Sequence, residues 1–118
     1  MQETEVAFEH GVVLGTLDRG VHAFLGVPYA EPPVGRLRYA PPRAAYFEGR
    51  LDARTKREML PQGPSDLDRP MGPLELAQNE GALTLCVWTP DPKAKLPVAV
   101  WFHGGANFCG SGAASWYD

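Results

Sequence analysis

Val98-Ala99-Val100-Trp101-Phe102-His103-Gly104-Gly105-Ala106 is the stretch on which the architecture turns. A continuous apolar run such as Val98–Phe102 fits a strand buried on both faces, as in a sheet covered by helices. The Gly-Gly pair behind it lets the backbone turn sharply and leaves N–H groups with no side chain over them. Bare N–H groups are what a carbonyl oxygen needs when negative charge develops on it during acyl transfer. On these residues alone, a glycine-rich turn after a core strand is an equally good reading.

Working outward, Leu83–Trp88 reads as a strand with Leu83, Leu85 and Val87 on one face and Ala82, Thr84, Cys86 and Trp88 on the other. The polar, turn-forming Pro90-Asp91-Pro92-Lys93-Ala94-Lys95 then predicts a long-looped hairpin between Leu83–Trp88 and Val98–Phe102. Toward the N-terminus, Val6-Ala7-Phe8-Glu9 alternates and His10-Gly11 marks a turn. Val12–Leu17 and Val21–Leu25 are further strands, joined by a tight turn at Asp18-Arg19-Gly20. Together they predict an antiparallel meander.

Between these parts lie less regular segments. Residues 28 to 42 hold Pro28, Pro32, Pro33, Pro41 and Pro42 and must be extended and irregular. They read either as a proline-rich linker or, because Tyr29, Val34, Leu37 and Tyr39 are interleaved, as a loop packed onto a body. Residues 43 to 58 mix Arg43, Glu48, Arg50, Asp52, Arg54, Lys56, Arg57 and Glu58, the pattern of a solvated face. Residues 59 to 79 read as a long surface loop with a short helical turn at Leu74-Glu75-Leu76-Ala77.

Three ordered blocks carry a resemblance. Phe24-Leu25-Gly26-Val27-Pro28-Tyr29-Ala30-Glu31-Pro32-Pro33-Val34-Gly35-Arg36-Leu37-Arg38-Tyr39 resembles the N-terminal signature of type B carboxylesterases, the para-nitrobenzyl esterase and cholinesterase family. Asn79–Pro90 is similar to the family's Ser-Glu-Asp-Cys-Leu-x-Leu-Asn-Val-Trp-x-Pro block, and Leu96–Gly105 to its strand and oxyanion loop. His-Gly-Gly after an early strand is the lipase and esterase form of that loop. The resemblance runs from about residue 11 to the last residue.

The resemblance implies an α/β fold: the N-terminal part of an α/β-hydrolase, a small antiparallel meander plus the first strands of the central sheet. It implies that Gly104, Gly105 and Ala106 form the oxyanion hole through backbone N–H, with Gly104 giving the loop room. Ala106 stands where the family often has a third glycine, and it keeps the N–H. Asn107 departs from the family's usual aromatic. Phe108 either replaces that aromatic at the acyl pocket or is a core or hinge side chain. Arg38 and Glu80 match a partly buried structural ion pair that ties the proline-rich loop to the hairpin, although the family's Asp after this Glu is Gly81 here. The region 59 to 79 is implied to lie near the gorge entrance. The disulfide of secreted relatives falls on Leu60 and Ala82, so that bridge is absent.

No catalytic triad is legible. Ser65, Ser111 and Ser115 are the serines, and none has glycine two residues before and two after, as the esterase elbow requires. His103 opens the loop and has no serine or carboxylate at usable spacing for a general base, while His10 and His22 read as surface or half-buried side chains on short strands. Cys86 reads as a small buried strand residue; Cys109 follows the loop without the neighbours that would make it reactive. With 118 residues and 44% hydrophobic content the chain could form one small domain. Because family members are several times longer, residues 1–118 are expected to be the incomplete N-terminal portion of a single domain, a split product or one chain of a processed enzyme. A net charge of −3 gives no electrostatic case for nucleic acid or an anionic membrane, and no apolar run is long enough to span a bilayer. The acidic start Met1-Gln2-Glu3-Thr4-Glu5 is no secretory signal, which with the missing bridge sets a cytoplasmic expectation. No cofactor and no metal are called for.

Two functions from different classes follow. One is a serine carboxylesterase acting on small-molecule carboxylic esters, its nucleophile supplied outside this sequence by further chain or a complementing C-terminal chain. The other is a non-catalytic binding or adhesion member of the same fold, or a remnant without function. The Gly-Gly loop favours the first, and the isolated polypeptide is expected to hydrolyse nothing.

Overall fold

A computed structural model describes residues 2–117 apart from Lys56, Arg57, Leu67 and Pro73; the side chains of Asp68 and Arg69 also lie outside it. The meander forms. β1 (Gln2–Phe8) pairs antiparallel with β2 (Gly11–Asp18) along its whole length, from Gln2 opposite Leu17 to Phe8 opposite Gly11. The intervening turn is therefore Glu9-His10, one residue earlier than the sequence suggests. Arg19 and Gly20, at φ 46° and 82°, make the two-residue turn into β3 (Val21–Pro28), the geometry that matches strand twist in short hairpins.

The far edge of β2 is divided. Thr16–Asp18 pairs with the start of β3, and Gly11–Leu14 pairs in parallel with β4 (Gly49–Asp52). β4 thus sits in the fork where β2 and β3 separate. Ala53 closes the fork: its N–H donates to Leu14 O at 2.9 Å, and its carbonyl accepts from Leu25 N at 2.6 Å. The sequence reads this segment only as a solvated face. Within β4 itself Arg50 and Asp52 are indeed exposed and Leu51 alone packs on the core, so one apolar residue among charges hides a strand.

Val13, Phe24 and Ala53 are the centre of that core, with Val6, Val27, Phe47 and Leu51 packed around them. Phe24 lies over Gly15, where a Cβ would stand 2.6 Å from the ring and 2.5 Å from Ala23 O. A bare backbone under the ring is what lets β2 and β3 approach here. On its other edge β3 pairs antiparallel with β7 (Thr84–Thr89), from His22 opposite Thr89 to Pro28 opposite Thr84, with a register slip at Gly26.

Residues 59 to 79 are not one uninterrupted loop. β5 (Glu58–Met59) and β6 (Ala77–Gln78) form a short parallel pair, extended by Asn79 N donating to Met59 O at 2.8 Å. The helical turn expected at Leu74–Ala77 is absent; a four-residue helix, α1 (Asp68–Met71), forms earlier, and Ala77 belongs to β6. Helix formation yields because Ala77 and Gln78 find ladder partners in β5. The proline-rich stretch is a docked loop and no linker: Tyr29 N donates to Leu83 O, Ala45 N to Tyr29 O, and Glu31 N to Arg43 O. Its aromatic side chains are nevertheless outward, Tyr39 being 99% exposed.

The largest departure concerns the opening stretch. Val98–Phe102 is not a strand, and no hairpin joins it to β7, which pairs with β3 instead. A strand needs a ladder of partners, and among the described residues this run has none. Val98, Val100, Trp101 and Phe102 are 85%, 72%, 71% and 84% exposed. Trp101 keeps one ring contact, edge-on to Tyr117 at 5.7 Å between centroids. No helix among the described residues is long and apolar enough to cross a membrane.

Candidate functional site

The loop behind Phe102 folds back on itself. The Gly105 carbonyl accepts from Phe108 N and Cys109 N, both at 3.1 Å. Closing so tightly forces unusual backbone: Gly105 at φ 131°, Ala106 at 54°, Asn107 at 65° and Gly110 at 91°. Gly105 is obligatory, since a Cβ there would lie 1.8 Å from Cys109 O. Asn107 suits the left-handed region, whereas Ala106 tolerates it at a cost.

That tight turn leaves donors unused. The N–H groups of Gly104, Gly105 and Ala106 meet no acceptor among the described residues. Gly105 and Ala106, with Phe108 and Cys109, form one wall of an open cleft of about 600 Å³ whose other wall is Pro64-Ser65-Asp66. Phe108 is 71% exposed and belongs to this wall. Asn107, Arg38 and Glu80 do not line the cleft.

Arg38 and Glu80 meet elsewhere. Arg38 follows a 3-10 turn at Gly35–Leu37, and its Nη2 donates to both Glu80 oxygens at 2.7 and 2.8 Å. The side chains are each 44% exposed, so the pair is more open to solvent than the partly buried one expected. The hydrogen bond to Glu80, then its charge, raise the Arg38 pKa above its ordinary value.

The histidines do other things. His103 Nδ1 donates to Gly104 O at 2.8 Å, a local contact within the loop. His22 Nδ1 bonds Thr4 Oγ1 at 2.8 Å, and the His10 ring packs against Tyr46. Both cysteines are free thiols; Cys109 is buried and Cys86 only half-buried.

Three supporting residues escape sequence reading. Ser65 Oγ donates to Cys109 Sγ at 3.2 Å, and Cys109 Sγ donates to Gly105 O at 3.3 Å. Gln62 exchanges two hydrogen bonds with the Gly110 backbone, and Gln78 exchanges two with the Gln62 backbone. For Gln62 the only signal the sequence offers is a long amide side chain among prolines and glycines, and for Ser65 and Gln78 it offers none.

The sequence profile described as the carboxylesterase family matches residues 2–118. The chain belongs to the carboxylesterase family. It is 44% identical over 116 residues to the para-nitrobenzyl esterase of Bacillus subtilis, covering 96% of this chain and 23% of that protein. It is 38% identical over 122 residues to acetylcholinesterase-1 of Trittame loki, covering 98% of this chain and 22% of that protein. Among solved structures it superposes on a thermophilic PNB esterase with a TM-score of 0.81 and 41% identity, covering 97% of this chain and 24% of that one. The carboxylesterase segment described here therefore spans about a quarter of the length of the relatives it matches. That structure is a carboxylesterase of the α/β-hydrolase fold, and the mainly antiparallel sheet of this chain corresponds to a part of it.

Proposed function

We propose that residues 1–118 supply the oxyanion-binding portion of a serine carboxylesterase acting on small-molecule carboxylic esters. The observation that carries this is the wall of unused N–H groups: Gly105 and Ala106 line the cleft and donate to nothing else among the described residues. In the proposed reaction a serine outside residues 1–118 attacks the ester carbonyl. The two amides hold the oxygen as it becomes negative, and an acyl-enzyme forms and is then hydrolysed. Donors held by a fixed backbone need no reorganisation during the reaction, and each is typically worth about 3–4 kcal/mol of barrier. Gly104 supplies room, and Phe108 shapes the acyl side of the cleft. Ser65, Ser111 and Ser115 lack the elbow sequence, and His103 is occupied with the loop carbonyl, so none is assigned a role in proton transfer.

The test is covalent labelling of the full-length chain that contains these residues. A fluorophosphonate should label a serine beyond residue 118 and stop hydrolysis of para-nitrophenyl butyrate in step. Labelling of Ser65, Ser111 or Ser115, or hydrolysis that survives labelling, would refute the proposal.

A further inference from the structure

Resting on the esterase reading, we propose that Gln62 is a positioning residue that sets the shape of the oxyanion loop, and that Gln78 in turn fixes Gln62. The loop needs such a fixture. Gly104, Ala106, Asn107 and Phe108 are exposed, and the turn bonds to Gly105 O hold the loop to itself without holding it to the sheet. Donor placement is sensitive: a displacement of about 1 Å in an active site can cost about 100-fold in rate.

Gln62 meets this need with one planar amide. Its Oε1 accepts from Gly110 N at 2.6 Å and its Nε2 donates to Gly110 O at 3.0 Å. Both polar groups of one backbone residue are held, as a neighbouring strand would hold them, so position and orientation are set together. The second Nε2 hydrogen goes to Leu60 O at 3.1 Å. Backbone polarity thus dictates which end of the amide is oxygen, and the side chain has no donor to spare. Gly110 transmits the restraint. It is packed so closely on the loop's first residues that a Cβ would stand 2.5 Å from Gly104 O and 3.0 Å from His103 Nδ1.

Gln78 repeats the device one layer back. Its Oε1 accepts from Gln62 N and its Nε2 donates to Gln62 O, each at 3.0 Å. Gln78 is the last residue of β6, and the β5–β6 pairing brings it beside the chain leaving β5. Restraint thus passes from a ladder to Gln78, to Gln62, to Gly110, and so to the segment carrying Gly105 and Ala106. The Ser65–Cys109–Gly105 contacts form a second, weaker tie through sulfur.

The experiment uses the full-length chain with Gln62→Ala, and Gln62→Glu as the near-isosteric variant that keeps the acceptor and loses the donor. Amide hydrogen exchange at Gly110 reads the clamp itself, whatever the activity. Protection in the wild type that falls at least about tenfold in Gln62→Ala, and by less in Gln62→Glu, which keeps the acceptor for Gly110 N, supports it; exchange in Gln62→Ala equal to wild type overturns it. Rate per active site, titrated with a fluorophosphonate, reads the consequence on para-nitrophenyl butyrate. A kcat about 10- to 100-fold lower with KM within about twofold is expected, with a parallel loss of affinity for a trifluoromethyl ketone that mimics the tetrahedral intermediate. A mere loss of folded protein would lower the titrated sites and leave kcat per site unchanged, which would overturn the positioning role. A wild type that is inactive and takes no label would refute the esterase reading, and the exchange result would still decide the clamp. Gln78→Ala should move the same readouts in the same direction by a smaller factor.

Discussion

Ala106 sits at φ 54°, where its methyl group crowds the backbone. That region costs a residue with a Cβ about 1–2 kcal/mol, and about 0.4–1 kcal/mol is returned because alanine has fewer unfolded conformations to lose than glycine. Ala106→Gly should therefore raise stability by roughly 1 kcal/mol or less and leave kcat within about twofold, because the N–H is kept; urea unfolding beside a para-nitrophenyl ester assay checks both. A second residue-scale prediction concerns Tyr46, whose hydroxyl donates to Glu48 Oε1 at 2.6 Å. The bond favours the protonated phenol and raises its pKa above the ordinary 10.0. With the folded value raised, the stabilisation is complete below the ordinary value and is lost as pH rises through the folded one. Glu48→Gln should bring the Tyr46 titration back down, read by carbon-13 NMR at the tyrosine ζ carbons; an unmoved titration would exclude the Glu48 contact as its cause. At this scale the tight turn at Gly104-Gly105 was readable from its glycines, whereas its role was not, because a Gly-Gly pair after an apolar run serves a plain turn equally well. Gln62 was not, because its role comes from Gly110, a residue 48 positions away.

β2 and β3 show where element-level reading succeeds. Alternation and a turn sequence at Arg19-Gly20 are local properties, and local properties sufficed for the meander. β4 was missed because its four residues show one apolar side chain, and its partner, β2, is distant in sequence. The Val98–Phe102 strand failed for a different reason. An apolar run states that a segment will be buried when its surroundings are complete, without naming the partner, and no described residue pairs with it. Packing at the β2–β3 contact gives the prediction proper to this scale. Gly15→Ala would place a methyl 2.5 Å from Ala23 O and 2.6 Å from the Phe24 ring, so strands or ring must shift. Overpacking of this kind costs about 1–3 kcal/mol, measurable as a lower urea midpoint with an unchanged slope. Stability equal to wild type would mean that Phe24 does not rest on this strand.

For the molecule as a whole, the packing is open. The Cα radius of gyration is 15.2 Å, against about 13.5 Å for a compact domain of this length. Among the described residues no large side chain is fully buried, and the apolar run ahead of the loop is exposed. These features accord with a segment spanning 23% of its Bacillus subtilis relative, its apolar run being exposed and without a ladder partner among the described residues. The loop proposed to bind the oxyanion carries its own contacts: its turn is closed by bonds between Gly105, Phe108 and Cys109, and Gly110 behind it is bonded to Gln62. The most direct measurement is therefore kcat for Gly105→Ala in the full-length chain, on para-nitrophenyl butyrate and corrected for titrated active sites. A Cβ 1.8 Å from Cys109 O cannot be accommodated without reopening the turn. If the Gly105 and Ala106 amides hold the oxyanion, kcat should fall about 100-fold or more with KM little changed. A variant that turns over at the wild-type rate would contradict that assignment.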